Sequence, residues 1–178
     1  MNRLDVNGEV MITEEEIAAR VKELGKELSA LYAEAPKPPI LVCILKGSLF
    51  FTADLARAMD VDVCLDFMKV SSYGSGTEST GNIVIKKDLD TDIRDRDVVL
   101  VEDIIDTGRT LSKLKDMLSA REPRSITICT FLDKPSRRVV DLKPDYFGFQ
   151  VENHFIVGYG LDFAEKYRGI PYITCLDE

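Results

Sequence analysis

The chain has 178 residues, 45% of them apolar and 30% charged, and a formal net charge of −8. That length suits one domain with a real core. The balance of 23 Lys and Arg against 31 Asp and Glu argues against a general nucleic-acid binder, whose affinity comes largely from neutralising phosphates. A small anionic ligand is not excluded, because a local pocket of basic groups or backbone amides can oppose the global field. Cys43, Cys64, Cys129 and Cys175 form no C-x-x-C pair, and the first three lie in apolar runs. They read as free thiols of a reducing compartment rather than as a disulfide framework or zinc site. No basic-plus-apolar leader is visible, and no apolar run approaches about 18 residues. The expected protein is cytoplasmic and has no membrane partner.

In chain order, "ITEEEIAARVKELGKELSALYAEA" (12–35) predicts a helix. Thr13 and Glu16 have capping-box spacing, and Ile17, Val21, Leu24, Leu28 and Leu31 form an apolar stripe. "ILVCIL" (40–45) is continuously apolar, as expected of a strand covered on both faces of a parallel sheet. A helix from about Ser48 to Met59 and a strand "VDVCLDFMKV" (61–70) follow. "SSYGSGTESTG" (71–81) lacks apolar periodicity and reads either as a lid or as an idle surface hairpin loop. "NIVIKKDLD" continues as a strand. "DVVLVED" (97–103) predicts a buried strand, "RTLSKLKDMLSA" (109–120) a helix with Leu111, Leu114 and Leu118 on one face, and "SITICTFL" (125–132) a further strand. Alternating strands and helices predict an α/β fold with a parallel sheet. Candidate strands near 145–151, 155–159 and 172–175 break the alternation and predict a subsidiary lobe.

The stretch "VVLVEDIIDTGRT", Val98 to Thr110, concentrates chemistry. Ligands of open α/β sheets sit beyond the carboxyl ends of the strands, where Glu102 and Asp103 are expected. "DTGRT" then opens a helix whose N–H groups can cradle a phosphate. Gly108 allows close backbone approach, and Thr107 and Thr110 add hydroxyl donors. Paired carboxylates suit a sugar diol or hydrated Mg²⁺. Phosphate and diol together describe a ribose 5-phosphate. The plain alternative is a strand–turn–helix in which Asp106 only caps the helix. A receiver domain also uses acids at strand ends, but takes them from different strands and has no phosphate-cradling loop after them.

This stretch resembles the phosphoribosyl pyrophosphate signature of type I phosphoribosyltransferases, in the hypoxanthine-guanine branch. "LKGS" (45–48), "SSYGSGTESTG", "FLDKPSRR" (131–138) and "FIVGYGLDFAEKYR" (155–168) match in the same order, covering most of the chain beyond the first helix. The resemblance implies that family's fold: a single domain over 1–178, with a parallel core at about 36–135. The terminal segments would add a small hood lobe, with base recognition in about 136–178. The implied reaction transfers the phosphoribosyl group from phosphoribosyl pyrophosphate to N9 of hypoxanthine or guanine, with Mg²⁺ as cofactor, in a homodimer or homotetramer.

Residue by residue, the resemblance assigns Lys46 and Gly47, after a cis peptide at Leu45, to pyrophosphate together with Arg168, and less firmly Arg137. Glu102 and Asp103 would hold the ribose hydroxyls and support Mg²⁺. Asp106 would be the general base near purine N7, and Asp106, Thr107, Gly108, Arg109 and Thr110 would hold the 5-phosphate. Lys134 would donate to the purine 6-oxo group, Phe155 would stack on the base, and Ile156 would meet its edge. Asp162 would serve the metal and the purine side of the site. Ser72 and Tyr73 would belong to a lid that excludes water. Without the resemblance, Lys46 reads as a strand-end lysine, Lys134 as a surface turn lysine, Phe155 and Ile156 as core, Asp162 as a helix cap and Arg168 as solvated. His154, the only histidine, reads as structural. The alternative function is a regulator on the same fold that senses phosphoribosyl pyrophosphate while binding nucleic acid.

Overall fold

The computed structural model describes residues 8–72 and 83–176. Its elements are β1 (Val10–Ile12), α1 (Glu14–Tyr32), β2 (Ile40–Ile44), α2 (Leu49–Ala58), β3 (Cys64–Ser72), β4 (Ile83–Lys87), β5 (Asp97–Ile105), α3 (Arg109–Ser119), β6 (Ser125–Asp133), β7 (Tyr146–Gln150), β8 (Ile156–Val157) and β9 (Ile173–Cys175). The large sheet has the order β4-β3-β2-β5-β6-β7. β3, β2, β5, β6 and β7 run parallel, and β4 pairs antiparallel at one edge.

Every residue of β2 is buried, as continuous apolarity requires of a strand covered on both faces. Side chains then divide by alternation. Leu41, Val99, Val101 and Cys129 face α1 and α2 with Leu24, Leu28, Phe51 and Leu55. Ile40, Val42, Val98, Leu100 and Ile128 face α3 with Leu111, Leu114 and Leu118. Each such buried aliphatic or aromatic side chain contributes about 1.5–3 kcal/mol, so the sheet is a firm platform for the loops above it.

Helix α1 begins with the expected capping box: Thr13 Oγ1 accepts from the Glu16 amide, and the Thr13 amide donates to Glu16. Its apolar stripe differs at one end. Leu31 is 50% exposed, while Gly25, Ser29 and Tyr32 are buried. Packing against α2 rotates the buried face toward Gly25, and Tyr32 closes it by bonding its hydroxyl to Thr127 Oγ1 at 2.8 Å.

The expected subsidiary lobe forms from fewer of the tail strands than the sequence suggested. β7 adds to the large sheet beside β6, so only β1, β9 and β8 form the small antiparallel sheet. Five apolar or aromatic-rich residues read equally well as either kind of strand, and only the open edge of β6 selects between them. Of the expected lid residues, Ser72 ends β3, whereas Tyr73 and most of the 71–81 loop lie outside the described residues. No described helix is long and apolar enough to cross a membrane. The four cysteines are free, with Cys43 and Cys129 buried and Cys64 and Cys175 partly so.

A Cβ on Gly25 would lie 2.4 Å from the Ala58 carbonyl oxygen, and that atom is backbone. Gly25→Ala is expected to lower stability by about 1–3 kcal/mol through overpacking, overriding the helix propensity gained. A urea-unfolding midpoint that does not fall would show that α1 and α2 separate freely.

Candidate active site

From β2 the chain returns to build β3 on one side, whereas β5 leads to β6 and β7 on the other. The direction of winding therefore reverses between β2 and β5, and such switch points open a crevice beyond the carboxyl ends of the strands. Two segments meet there. After β2, Leu45 to Ser48 turn sharply through a cis Leu45–Lys46 peptide. The turn is held by Ser48 Oγ, which donates to the Ile44 carbonyl at 2.7 Å. After the buried part of β5 come Glu102 and Asp103. The two segments touch so closely that a Cβ on Gly47 would fall 1.5 Å from Asp103 Oδ2.

Glu102 and Asp103 are half-buried at the strand end. Loss of hydration, and then the neighbouring Asp103 charge, push the Glu102 carboxyl well above the usual carboxylate range. Burial also raises Asp103. Two acids so placed gain from a cation or from hydroxyl donors. No group of three or more His, Cys, Asp or Glu is gathered into a metal cage among the described residues. The pair nevertheless fits Mg²⁺, which commonly takes one or two carboxylates and completes its octahedron with water and substrate oxygens.

The loop after β5 lines a cavity of about 120 Å³ with Glu102, Ile105, Asp106, Thr107, Gly108 and Thr110. The N-cap of α3 is Gly108, with φ at +79° and no side-chain cap bond. Asp106 is therefore not the helix cap; its carboxylate instead accepts from Arg137 Nε at 3.0 Å. A helix start without a capping side chain, led by a glycine, is the geometry that receives an anionic oxygen. The Thr107 hydroxyl accepts weakly from the Arg109 amide at 3.4 Å.

Arg138, to which no role was assigned from the sequence, is the clamp of this loop. Its Nε donates to the Asp106 carbonyl at 3.1 Å. The rest of its guanidinium meets the Asp133 carboxylate and the Leu142 carbonyl. The side chain also packs over Gly108, where an added Cβ would lie 2.9 Å from Arg138 Cδ. No local pattern distinguishes Arg138 from Arg137; the pairing of β5 with β6, which sets Ile105 beside Asp133, does.

That pairing also brings Lys134 next to Asp106, with the Lys134 amide donating to the Ile105 carbonyl at 2.9 Å. Far from being a surface turn residue, Lys134 is buried. Its ammonium donates to the His154 carbonyl at 2.7 Å, and desolvation lowers its pKa. His154 itself is exposed, with Nε2 3.6 Å from Glu152, and serves through its carbonyl. The next residue, Phe155, is 55% exposed rather than core, and its ring meets Phe163 edge-on at 5.4 Å. Ile156 is buried within β8, an edge strand paired on one side only, with β9. Phe163 had no signal in the sequence, since an aromatic beside a charged run reads equally as core.

The fourth segment runs from Gly160 to Arg168. Gly160 has φ at +104°, and a Cβ there would sit 1.9 Å from the Gly47 carbonyl oxygen, so this segment rests directly on the Lys46–Gly47 turn. Arg168 is largely buried rather than solvated. It donates to the Gly160 carbonyl at 2.7 Å and pairs with Asp162 at 2.7 Å. Asp162 caps no helix; its other oxygen accepts from the Glu165 amide at 2.8 Å. Lys46 pairs with Glu165 at 2.8 Å. The segments from β2, β5, β6 and the small sheet thus converge on one crevice containing acids, a phosphate-sized cradle, an exposed aromatic face and the cations Lys46, Lys134, Arg137 and Arg168.

Comparison with known proteins gives this arrangement a family. Residues 11–164 match the model of the phosphoribosyl transferase domain. Hypoxanthine phosphoribosyltransferase of Escherichia coli K12 is 52% identical over 165 residues, 93% of each chain. Hypoxanthine-guanine phosphoribosyltransferase of Streptococcus thermophilus is 50% identical over 169 residues, 95% of this chain and 93% of that one. The crystal structure of a hypoxanthine phosphoribosyltransferase from Staphylococcus aureus superposes with a TM-score of 0.92 at 46% identity, covering 97% of this chain and 92% of the other. Since the domain match spans most of the sequence and these relatives are half identical over nearly their whole length, the chain belongs to the phosphoribosyltransferase family.

Proposed function

We propose that the crevice binds phosphoribosyl pyrophosphate and a 6-oxopurine, and that the enzyme, a purine-salvage transferase, joins purine N9 to the sugar C1 with release of pyrophosphate. The observation that carries this reading is the placement of Lys134. A buried ammonium, one residue before the short turn that follows β6, bonds to the carbonyl next to an exposed aromatic ring. A purine stacked on Phe155 would present its 6-oxo group to that donor, with Ile156 on the edge strand meeting its rim. A 6-amino group would set donor against donor and leave the ammonium unsatisfied.

The sugar follows from the same frame. The 5-phosphate takes the loop Asp106 to Thr110, including Arg109, with Arg138 positioning the loop. Glu102 and Asp103 take the 2- and 3-hydroxyls. Lys46, the Gly47 amide and Arg168 hold the pyrophosphate, a role for which the planar fork of arginine is suited. Glu102, Asp103 and Asp162 would hold Mg²⁺, which when bound neutralises charge developing on the leaving pyrophosphate. Asp106 accepts the base proton once the incoming purine has displaced Arg137 from its carboxylate. As C1 gains positive character, the surrounding carboxylates stabilise it. Ser72 and Tyr73 belong to the proposed lid. Homodimer or homotetramer assembly and residence in the cytoplasm complete the proposal; the free thiols suit a reducing compartment. The rival reading, a regulator that binds nucleic acid, is disfavoured by the net charge of −8 and by the base-recognition pair Lys134 and Phe155.

A pyrophosphate-release assay with phosphoribosyl pyrophosphate, Mg²⁺ and a panel of purines should show turnover with hypoxanthine or guanine and almost none with adenine. Comparable rates with adenine would remove Lys134 from base recognition. Lys134→Met should lower kcat/KM for hypoxanthine by about 10- to 100-fold, the worth of a hydrogen bond to a charged group, while the KM for phosphoribosyl pyrophosphate stays within a few-fold. Asp106→Asn should lower kcat by about 100-fold or more, in the range of general acid–base catalysis. Steady-state kinetics of that variant at the wild-type rate would refute the assignment.

A further inference from the structure

The two cations assigned to pyrophosphate are already engaged by one anionic oxygen. Lys46 Nζ donates to Glu165 Oε2 at 2.8 Å, and Arg168 Nη2 lies 3.6 Å from the same atom. These contacts hold the Glu165 carboxyl below the usual range, Lys46 contributing most. An oxygen bridging an ammonium and a guanidinium occupies the position that a phosphoryl oxygen would take.

The backbone goes out of its way to put the carboxylate there. The Phe163 amide donates to the Lys166 carbonyl at 3.2 Å, and the Lys166 amide donates back at 3.0 Å. The two residues between, Ala164 and Glu165, have φ of +50° and +63°. A two-residue turn of this hand favours Gly and Asn, which adopt left-handed backbone at little cost. A glutamate there is strained, and strain of this kind collects at functional positions. Asp162 fixes the arrangement from below, accepting from the Glu165 amide with one oxygen and from Arg168 with the other. Turn, carboxylate and both cations are thereby held as a unit.

We propose that Glu165 is a determinant of pyrophosphate affinity: its carboxylate stands in for a phosphoryl oxygen between Lys46 and Arg168, and bound pyrophosphate must displace it. This rests on the assignment of Lys46 and Arg168 to pyrophosphate made above. Glu165 is largely exposed, so the displaced side chain rehydrates readily and the competition is modest. When pyrophosphate leaves, the carboxylate returns to the cations, which weakens product rebinding. Phosphoribosyl pyrophosphate meets the same competition at this position, and its other anchors on the β5 loop keep its total affinity higher.

The test is calorimetric titration of inorganic pyrophosphate with Mg²⁺ into the full chain and into the Glu165→Gln, Glu165→Asn and Lys46→Met variants. Glu165→Gln and Glu165→Asn should each bind pyrophosphate about two- to five-fold tighter, the scale of an exposed ion pair. Pyrophosphate should become a correspondingly stronger product inhibitor. Glutamine keeps the strained turn and asparagine relaxes it, so tightening in the asparagine variant alone would trace to the turn and overturn the proposal. Unchanged or weaker binding in both would overturn it as well. Lys46→Met probes the underlying assignment separately: it should weaken pyrophosphate binding, and undiminished binding there would remove the pyrophosphate site itself, whatever Glu165 does.

Discussion

The contact between Gly47 and the Asp103 carboxylate is the constraint on which the crevice depends. It brings the turn after β2 so close to β5 that one additional carbon would have to displace the Asp103 carboxylate. Gly160 repeats the device one layer out, resting on the Gly47 carbonyl. Three chain segments far apart in sequence are thereby stacked, with backbone against the Asp103 side chain at Gly47 and backbone against backbone at Gly160. Side chains at Gly47 and Gly160 would push the acids, the Lys46 turn and the Arg168 segment out of common reach. Small residues act here through what they omit: contact of this closeness lets one small ligand touch every segment at once.

A second theme is that the charges of the crevice are paired with one another. Arg137 holds Asp106, Glu165 holds Lys46, and Asp162 holds Arg168. Glu102 and Asp103 differ, because their nearest charged neighbours are each other, and desolvation raises both carboxyls. The asymmetry is physically sensible. The Arg137–Asp106 and Lys46–Glu165 pairs are exposed and exchange partners cheaply, since water screens both states. A half-buried pair of like charges responds strongly to a cation or to hydroxyl donors, so that part of the crevice discriminates most between empty and filled states. Arg138 belongs to neither group. Its contacts with Asp133, Leu142 and the Asp106 carbonyl brace the loop without presenting charge to the crevice.

Much of this was legible in the residues. Continuous apolarity announced β2 as a doubly covered strand, because burial on two faces disfavours polar side chains, and the runs at 97–103 and 125–132 read as the further strands β5 and β6. The capping box marked the start of α1, since that signal lies within four consecutive residues. The run from Val98 to Thr110 carried its own chemistry, because strand end, acids and helix start are local features. What was not legible depended on partners distant along the chain. The tail strand β7 joined the large sheet because β6 offered an open edge. Leu31 turned outward because α2 claimed the neighbouring face of α1.

For this protein the sequence by itself determined most of the elements and the family, since periodicity and motif spacing are properties of neighbours in the chain. Only the tertiary structure decided that Lys134 is buried beside the His154 carbonyl, that Phe155 shows its face to solvent, and that Glu165 reaches Lys46 across 119 positions. Those outcomes hang on strand pairing and close backbone contact, in which the energy of each residue is set by whichever segment the fold lays against it.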